Sequence, residues 1–450
     1  MRKYSKYKNS GCDYLGQIPQ HWNANRLADI GVFSSSGIDK KIQEGEPLVR
    51  MVNYTDIIKS RVYYPILSYN PEFMIVSCPS SKIEEHSLNK GDMVFIPSSE
   101  TSEDLGYGSL VDFEDNVVFS YHIIRFQFNK PLYHFFKKYF TNNHPVLNQF
   151  SAEGKGTTRQ IIGRNVFKNI VVALPPLPEQ QSIVAFLDDK TSQIDLLISN
   201  SQKKIELLKE KRTALINHAV TKGLDPKSKM KDSGVEWIGE IPVGWDVKPL
   251  KYLGSFQNGI SKPGDMFGSG FPFLNYGDVY NYEVIPLNPS GLVESSYEER
   301  EQYSVRYGDV FFTRTSESKD DIGVCSVCLE TIDECVFSGF VIRFRFNKNQ
   351  QLPVYSKYHF QAYWKKLFIE SQMNIVTRAS LSQQVLGLVP VLLPTLSEQQ
   401  EIVKYLDHHT SEIDKEVSLE ERRIELLKEY RQSLISEVVT GKINVSDYAV

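Results

Sequence analysis

The sequence lacks the features of a membrane or secreted protein. No apolar stretch reaches the roughly 18 residues that a membrane-spanning helix needs. The basic start MRKYSKYKNSG is followed by no apolar run, so no signal peptide is expected. The five cysteines are scattered, which is typical of free thiols in a reducing compartment. These absences predict a soluble, cytoplasmic protein.

The chain also lacks a large excess of positive or negative charge. The net charge is −4 over 450 residues, so no overall basic field points to nucleic acid. A nucleic-acid partner would have to be recognised by a local positive surface. A chain of this length is expected to form two or three domains rather than one.

Motifs for catalysis and for cofactors are missing as well. The chain has no P-loop, no glycine-rich strand–helix turn for a nucleotide, and no nucleophile elbow. Asn288–Gly291 begins like the asparagine–proline motif of adenine methyltransferases but lacks its second proline and aromatic residue. Cys325, Cys328 and Cys335 could supply half of a zinc site, although buried strand thiols explain them more simply. We expect no catalysis, metal or cofactor in this chain.

What the sequence does contain is an internal repeat. Glu179–Thr221 and Glu398–Thr440 share 23 of 43 positions, at an offset of 219 residues. A second matching pair lies upstream, SGCDYLGQIPQHW at Ser10–Trp22 and SGVEWIGEIPVGW at Ser233–Trp245. Fainter matches between these markers stay in register. Such self-similarity predicts two copies of one plan, each a globular unit followed by a helix.

Each repeated helix carries a stripe of residues at alternating spacings of four and three. The stripe runs Ile194, Ile198, Ser201, Ile205, Leu208, Arg212, Leu215, Ala219 in the first helix and Ile413, Val417, Glu420, Ile424, Leu427, Arg431, Leu434, Val438 in the second. This spacing predicts an antiparallel coiled coil, with the polar positions fixing its register. The alternative is that each helix packs only on its own unit, but the stripe is narrower than such packing needs.

The ends of these helices are also marked. Ser397 with Gln400 is predicted to form a capping box, and Gly223 and Gly441 are predicted to end the two helices. About 30 residues of helix measure ~45 Å. A spacer of that size could hold two readers about one DNA turn of 34 Å apart.

The globular units alternate aromatic-rich strand candidates with turn residues. One face of the strand in FSGFVIRFRFN is predicted to carry Phe340, Ile342, Phe344 and Phe346, and the other Val341, Arg343 and Arg345. In the first copy, His122, Ile124, Phe126 and Phe128 are predicted to face inward and Arg125 outward. Short helices are expected at Tyr133–Phe140 and Tyr358–Ser371. The predicted fold class is therefore α+β, with two similar α/β domains whose sheets are largely antiparallel.

Loops of both units carry side chains suited to nucleic acid. Small, hydroxylic and basic residues suit phosphate contacts, whereas asparagine and arginine can read base edges. The candidates are Arg50, Asn53, Tyr54, Ser98, Ser99, Lys155, Thr157, Thr158 and Arg159 in copy one, and Lys262, Asn275, Tyr276, Thr313, Arg314, Thr315, Thr377 and Arg378 in copy two. Any single one is explained as an ordinary solvated loop residue. Their recurrence in both copies favours a binding surface.

With these features, the chain resembles the specificity subunit of Type I restriction–modification systems. The likeness covers essentially the whole chain. It is carried by the heptad helices, by Leu174–Gln181 and its echo Leu393–Gln400, by Ile18-Pro19-x-x-Trp22 and Ile241-Pro242-x-x-Trp245, and by the Gly-Asp strands at Gly91 and Gly308.

The resemblance implies a division into target-recognition domains and helical regions. The domains would be residues 1–173 and 224–391, the second with a linker at 224–232; the helical regions would be 174–223 and 392–443, before a tail at 444–450. Each domain would read one half of a bipartite, asymmetric site in double-stranded DNA, and the coiled coil would set the spacer.

The resemblance also implies partners. The chain would dock two adenine-N6 methyltransferase subunits, and restriction subunits where the system has them. S-adenosylmethionine, ATP and magnesium would belong to those partners. The helix–helix and partner interface is predicted at Glu179, Gln180, Ile194, Ile198, Ile205, Leu208, Arg212, Leu215, Glu398, Gln399, Ile413, Val417, Ile424, Leu427, Arg431 and Leu434.

Two other functions stay open at this point. A scaffold that joins proteins without touching DNA would show no salt-dependent DNA affinity. A metal-dependent nuclease would need converging carboxylates, usually beside a lysine. Two acidic clusters offer carboxylates, Glu100, Glu103 and Asp104 or Glu317, Asp320 and Asp321, but the Lys319 of the second has Ser102 as its counterpart in the first, which favours a solvated acidic turn.

Overall fold

The computed structural model describes residues 2–60, 65–316, 322–347, 351–372 and 379–448. The chain divides into two compact units: unit 1 contains Met1–Ser201 and Arg422–Val450, and unit 2 contains Gln202–Glu421. Each unit thus combines a globular part with pieces of both long helices. The boundaries of the target-recognition domains given above, residues 1–173 and 224–391, stay a prediction. No helix in the described part of the chain is long and apolar enough to cross a membrane.

Unit 1 contains fourteen short strands among its described residues. They are β1 Tyr7–Asn9, β2 Gln17–Pro19, β3 Asn23–Arg26, β4 Gly31–Ser35, β5 Leu48–Val52, β6 Ile66–Leu67, β7 Met74–Ser77, β8 Met93–Phe95, β9 Ser98–Ser99, β10 Gly108–Val111, β11 Val117–Phe119, β12 Ile124–Phe128, β13 Gln160–Ile161 and β14 Val171–Leu174. The helices that begin in this unit are α1 Tyr54–Ser60, α2 Ser80–His86, α3 Lys137–Phe140, α4 His144–Ala152, α5 Arg164–Asn169 and the long α6 Leu177–Lys222. A sheet of order β4-β12-β8-β10-β6 faces a smaller one of order β11-β5-β7 across the core, and β14 pairs with β3 directly before α6.

Unit 2 repeats this plan. Its strands are β15 Met230–Asp232, β16 Glu240–Pro242, β17 Asp246–Pro249, β18 Gly254–Asn258, β19 Phe267–Leu274, β20 Gly291–Val293, β21 Val310–Thr313, β22 Thr315–Ser316, β23 Cys325–Val327, β24 Val336–Phe337, β25 Val341–Phe346, β26 Ala379–Ser380 and β27 Pro390–Leu393. Its helices are α7 Tyr276–Tyr280, α8 Tyr297–Gln302, α9 Pro353–Gln361, α10 Tyr363–Ser371, α11 Gln383–Gly387 and the long α12 Leu396–Val439. The sheet β18-β25-β21-β23 matches β4-β12-β8-β10, and β20-β19-β24 matches β7-β5-β11, including the parallel pair. The predicted α+β fold with an internal repeat is confirmed.

Strand alternation places most of the predicted core residues, with three exceptions, and the first is His122, which was predicted to face inward but precedes β12 and is only half-buried. Ile342 and Phe344 of β25 are fully buried, as predicted. Phe340 was predicted to share their face, but it precedes the strand and is 64% exposed. Arg125 was predicted to face outward, and this is wrong, because its side chain is buried. Its guanidinium donates to Ser34 Oγ at 2.9 Å and to the backbone carbonyl of Ser87 at 2.7 Å. A buried charge is tolerated here because several acceptors satisfy it.

The long helices lie antiparallel within each unit. In unit 2, Lys204 Nζ of α6 contacts Glu420 Oε1 of α12 at 3.0 Å, whereas Arg212 Nε, further along α6, reaches back to Asp414 Oδ1 at 3.1 Å. In unit 1, Arg431 Nε donates to Asp195 Oδ1 at 2.9 Å. The seam positions beside these ion pairs are buried or half-buried, namely Ile194, Ile198, Ile424, Leu427 and Leu434 in unit 1 and Ile205, Leu208, Leu215, Ile413 and Val417 in unit 2. The coiled coil is confirmed on these contacts.

The helix ends differ from the prediction at one point. The box that caps α12 is formed by Thr395 and Glu398, not by Ser397 and Gln400, because the helix begins at Leu396. Thr395 N donates to Glu398 Oε2 at 2.9 Å, and Glu398 N donates to Thr395 Oγ1 at 3.3 Å. At the other ends, Gly223 and Gly441 adopt φ angles of 72° and 73°, as expected for residues that stop a helix.

Candidate nucleic-acid interface

In unit 1, strand pairing gathers several of the candidate loops at one edge. β13 pairs with β9, so Ile161 lies opposite Ser98, and a bridge from Lys155 to Ile161 closes the intervening loop. Arg159 Nε donates to Ser98 Oγ at 3.3 Å, and its guanidinium carbon lies 5.8 Å from the centre of the Tyr54 ring. The side chains of Lys155, Thr157, Thr158 and Arg159 are all exposed.

Further cations join this edge that the sequence did not single out. Partial burial lowers the pKa of His122, and the positive charges of Lys40 and Arg159 lower it further, so all three groups lie within electrostatic reach of one another. Arg164 Nη2 donates to Ser35 Oγ at 2.7 Å at the end of β4. Lys40, Arg159 and Arg164 are called the cationic edge below, and the imidazole of His122 lies beside it. Lys40 and Arg159 lie in separate loops and Arg164 begins α5, so no local sequence signal connects the three cations.

Three other candidates in unit 1 have internal roles. Asn53 is 4% exposed, and its Oδ1 accepts from Tyr54 N at 2.8 Å, at the start of α1. Ser99 is 2% exposed. Arg50 Nε donates to the Pro71 carbonyl at 3.2 Å. Asn53 and Ser99 are buried and Arg50 uses one of its N–H groups internally, so the prediction for these residues gains no support from their placement.

In unit 2, the candidates are more dispersed. Asn275 caps α7 by accepting from Asp278 N at 3.1 Å, and its Nδ2 donates to Ser290 Oγ at 2.6 Å. Tyr276 stacks on Tyr280 with ring centres 5.7 Å apart. Lys262 Nζ pairs with Glu299 Oε1 at 2.6 Å.

The remaining candidates of unit 2 surround β21 and β22. Thr313 is fully buried. Arg314 Nη1 donates to the Gly339 carbonyl at 3.4 Å beside the exposed Phe340, and Thr315 pairs with Ser380. Thr377 and Arg378 lie outside the described residues, as does the second acidic cluster with Lys319.

One contact shows how the two copies diverge at the same edge. The offsets of the repeat place Asn258 where Ser35 lies in copy one, and Gln383 where Arg164 lies. Gln383 Nε2 donates to Asn258 Oδ1 at 3.0 Å, in the same arrangement as Arg164 and Ser35. Unit 1 therefore presents a cation and a hydroxyl where unit 2 presents two amides, which differ in the bases and phosphates that they can recognise.

By contrast, the Glu-Gln pairs at the helix starts make the same internal contacts in both copies. Glu179 Oε2 accepts from Trp22 Nε1 at 3.0 Å, and Glu398 Oε1 accepts from Trp245 Nε1 at 3.2 Å. Gln180 Oε1 accepts from the backbone N of residue 133 at 2.8 Å, and Gln399 Oε1 accepts from that of residue 352 at 2.8 Å. These contacts bind each helix to its own globular part.

The structure gives little support to a zinc site at the three clustered cysteines or to a nuclease site at the first acidic cluster. Desolvation raises the pKa of Cys328 and of Cys335 to about 12, and among the described residues neither thiol belongs to a group of three or more converging metal-ligating side chains. Burial also raises the pKa of Cys325. In the first acidic cluster, Asp104 Oδ2 accepts from Thr101 Oγ1 at 2.7 Å, a turn contact of the kind that a solvated loop makes.

The fold and its loop edges define a class of protein: an internally duplicated binding module in which paired helices carry two similar α/β units. A family model described as the Type I restriction modification DNA specificity domain matches residues 20–207 and again 242–428. The chain therefore belongs to this family, whose members are non-catalytic specificity subunits, and it carries two DNA specificity domains.

Individual relatives agree with this assignment. The putative type I restriction enzyme MjaX specificity subunit of Methanocaldococcus jannaschii is 25% identical, over 98% of each chain. The EcoKI specificity subunit of Escherichia coli K12 is 26% identical, over 68% of this chain and 65% of the relative. Among solved structures, a chain from a study of assembly and conformational transition of the type I R-M system matches with a TM-score of 0.70 at 17% identity, covering 95% of this chain and 99% of that one. The HsdS subunit of Thermoanaerobacter tengcongensis matches with a TM-score of 0.51 at 18% identity, covering 95% and 98%.

Proposed function

We propose that each DNA specificity domain reads one half of a bipartite, asymmetric site, and that the helix pair sets the spacer and docks two adenine-N6 methyltransferase subunits. The observation that carries this proposal is the matched contact at the loop edge, Arg164 with Ser35 in one copy and Gln383 with Asn258 in the other. Two copies that keep one geometry and change its chemistry suit two different half-sites.

The cationic edge supports DNA rather than protein as the ligand of unit 1. Exposed arginines beside hydroxyl groups and an aromatic ring offer phosphate and base contacts together. A chain of slightly negative net charge can bind DNA through such a local surface. Methyl transfer would be carried out by the partner subunits, which would hold S-adenosylmethionine, with ATP and magnesium in restriction subunits where these exist. The complex would act on DNA in the cytoplasm.

The test is a genome-wide map of methylated adenines in cells that express the chain with the methyltransferase encoded beside it. We expect a split, asymmetric motif with one modified adenine in each half, which disappears when the chain is deleted. Exchange of residues 1–173 for those of a relative should change one half of the motif only. A change in both halves would contradict independent readers. A stable complex without new modification would favour a scaffold.

Point variants sharpen the same experiment. Arg164→Gln should weaken or relax the half-site read by unit 1 and leave the other half unchanged, while the matched control Gln383→Ala should affect only the half read by unit 2. In binding assays, Arg159→Ala should reduce the slope of log affinity against log salt by about 1, since one phosphate contact is lost. Equal effects of Arg164→Gln and Gln383→Ala on both halves would refute the assignment of one unit to each half-site.

A further inference from the structure

An exposed group of metal-ligating side chains lies on α12, far along the sequence from the loop candidates. His408 Nε2 lies 3.6 Å from Glu412 Oε1, and His409 Nδ1 lies 3.3 Å from Glu412 Oε2. One ligand atom of each residue lies within 4.8 Å of the others, and across the described ranges this is the single group of histidine, cysteine and acidic residues so placed. Glu412 lies four residues after His408 and three after His409, so it shares a helix face with each histidine.

The same place in copy one is built differently. Asp189, Lys190 and Gln193 occupy the positions of His408, His409 and Glu412. Asp189 is fully engaged there: it pairs with Lys190 Nζ at 3.0 Å and accepts from Gln193 Nε2 at 2.7 Å and from Tyr448 Oη at 2.8 Å.

The C-terminal segment also covers this face in unit 1. Its Tyr448 packs edge-on against Phe186, with ring centres 5.2 Å apart. In unit 2, Tyr405 replaces Phe186 and packs on His409 instead, at 4.4 Å. The side chains of His408, His409 and Glu412 are 66%, 40% and 56% exposed, so they can be reached from solvent. Copy two therefore has two imidazoles and a carboxylate where copy one has an ion pair whose carboxylate also accepts from Tyr448.

The spacing of this set fits a transition-metal ion. Zinc binds histidine nitrogen and carboxylate oxygen at ~2.1 Å with tetrahedral geometry, which separates neighbouring ligand atoms by about 3.4 Å. The nitrogen–oxygen distances are 3.6 Å to Oε1 and 3.3 Å to Oε2 of the same carboxylate, both close to that value, and the ligand atoms of the three residues lie within 4.8 Å of one another. Imidazole-rich sets favour zinc and similar ions, whereas magnesium and calcium prefer oxygen ligands. Simple histidine–glutamate pairing on a solvated helix is the alternative that an experiment has to exclude.

We propose that His408, His409 and Glu412 bind one Zn²⁺ ion or a similar divalent transition ion. Three protein ligands leave one coordination position open, which water or a ligand from another molecule completes. This site is independent of DNA reading, because no member of it belongs to the loop edges.

The test is titration of the metal-free full-length chain with ZnCl₂, followed by calorimetry, in the presence of excess Mg²⁺. The matched control is the triple variant His408→Asp, His409→Lys, Glu412→Gln, which installs the residues of copy one. We expect wild type to bind one more Zn²⁺ per chain than the triple variant. His408→Ala should weaken that site at least tenfold. Because wild type and the triple variant share all other histidines and cysteines, Zn²⁺ bound at those residues cancels in the difference between the two titrations.

A second measurement covers the case in which the triple variant folds poorly. Co²⁺ should give the visible absorption of a tetrahedral site in wild type, and the single variant Glu412→Gln should lose it while far-UV circular dichroism is unchanged. Equal Zn²⁺ stoichiometry and affinity in wild type and all three variants would overturn the proposal. Binding that needs millimolar Zn²⁺ would also overturn it and leave an ordinary surface pair.

Discussion

Replacing His359 by phenylalanine is expected to remove a large part of the acid sensitivity of unit 2. His359 lies fully buried in the core of this unit, stacked on Tyr355 with ring centres 5.7 Å apart and an interplanar angle of 27°. Copy one has Phe140 and Phe136 at the same positions, stacked at 5.7 Å and 25°. The site therefore already exists in the chain with phenylalanine in it, so His359→Phe should fit without strain.

The magnitude follows from the pKa of the imidazole. Burial lowers the pKa of His359 from 6.5 to about 3, the charge of Lys365 acts in the same direction, and the backbone of Pro390 opposes them. The unfolded chain therefore binds a proton below pH 6.5 that the folded chain refuses. Stability is complete above pH 6.5 and is lost as the pH falls toward 3, at about 1.4 kcal/mol per pH unit. At pH 5 the loss from this one group is about 2 kcal/mol.

Urea unfolding at pH 7.5 and pH 5.0 measures this loss. Tryptophan fluorescence reports mainly on unit 2, which holds Trp237, Trp245 and Trp364 of the four tryptophans in the chain. Between the two pH values, wild type should lose about 2 kcal/mol more than His359→Phe, because carboxylates that titrate in both proteins cancel in the comparison.

The matched control transfers the same group to the other copy. Phe140→His should give unit 1 a comparable loss between pH 7.5 and 5.0, visible in the fluorescence of Trp22. Parallel pH dependence in wild type and His359→Phe would refute the reasoning, since it would mean that the buried imidazole takes up its proton in the folded protein.

Three further results are expected. Glu179→Gln should lower the free energy of unfolding of unit 1 by about 1–3 kcal/mol in urea titration, because Trp22 and Tyr4 donate to Oε2 while Oε1 contacts His21 Nε2, and an amide keeps only one accepting oxygen; an unchanged midpoint would argue against a structural role. Gly441→Ala should lower the melting temperature more than Gly223→Ala, because a Cβ would lie 2.3 Å from a proline ring carbon at the first and 3.3 Å from its nearest neighbour at the second; equal shifts would contradict this. A thiol reagent should modify the half-exposed Cys12 before Cys328, whose pKa burial raises to about 12, as mass spectrometry of the native protein can show; early labelling of Cys328 would contradict the buried placement.

The repeat, the coiled coil and the fold class could be predicted from sequence because their signals are local or periodic. A heptad stripe is visible within one helix, and Gly441 marks a helix end by its own conformational freedom. The capping residue was missed by two positions, since Thr395 and Ser397 are equally suited to a cap and only the packing of the helix start decides between them.

The buried cation and the cationic edge could not be predicted in the same way. Arg125 reads as an outward-facing strand residue until its acceptors are known, and these come from segments about 40 and 90 residues away in sequence. Likewise, Arg159 belongs to a loop that looked basic, but its proximity to Lys40 and His122 depends on how three loops meet. The role predicted for Asn53 stays a prediction, and its buried side chain accepts from Tyr54 N at the start of α1, a contact that residue type alone does not indicate.

Some contacts are the same in the two copies, and others keep their geometry but change their chemistry. The indole of each Ile-Pro-x-x-Trp marker donates to the first glutamate of its long helix, Trp22 to Glu179 and Trp245 to Glu398, so the joint between globular part and helix is the same twice. At the loop edge, the same two positions hold arginine and serine in one copy and glutamine and asparagine in the other. Under the proposed function, the repeated joint would give similar partners equivalent places to dock, and the varying edge would let each copy bind a different sequence. Glu179 and Gln180 are already engaged by Trp22 and by the backbone of residue 133 in their own domain. We therefore expect partner subunits to contact surfaces beside these two residues rather than the residues themselves.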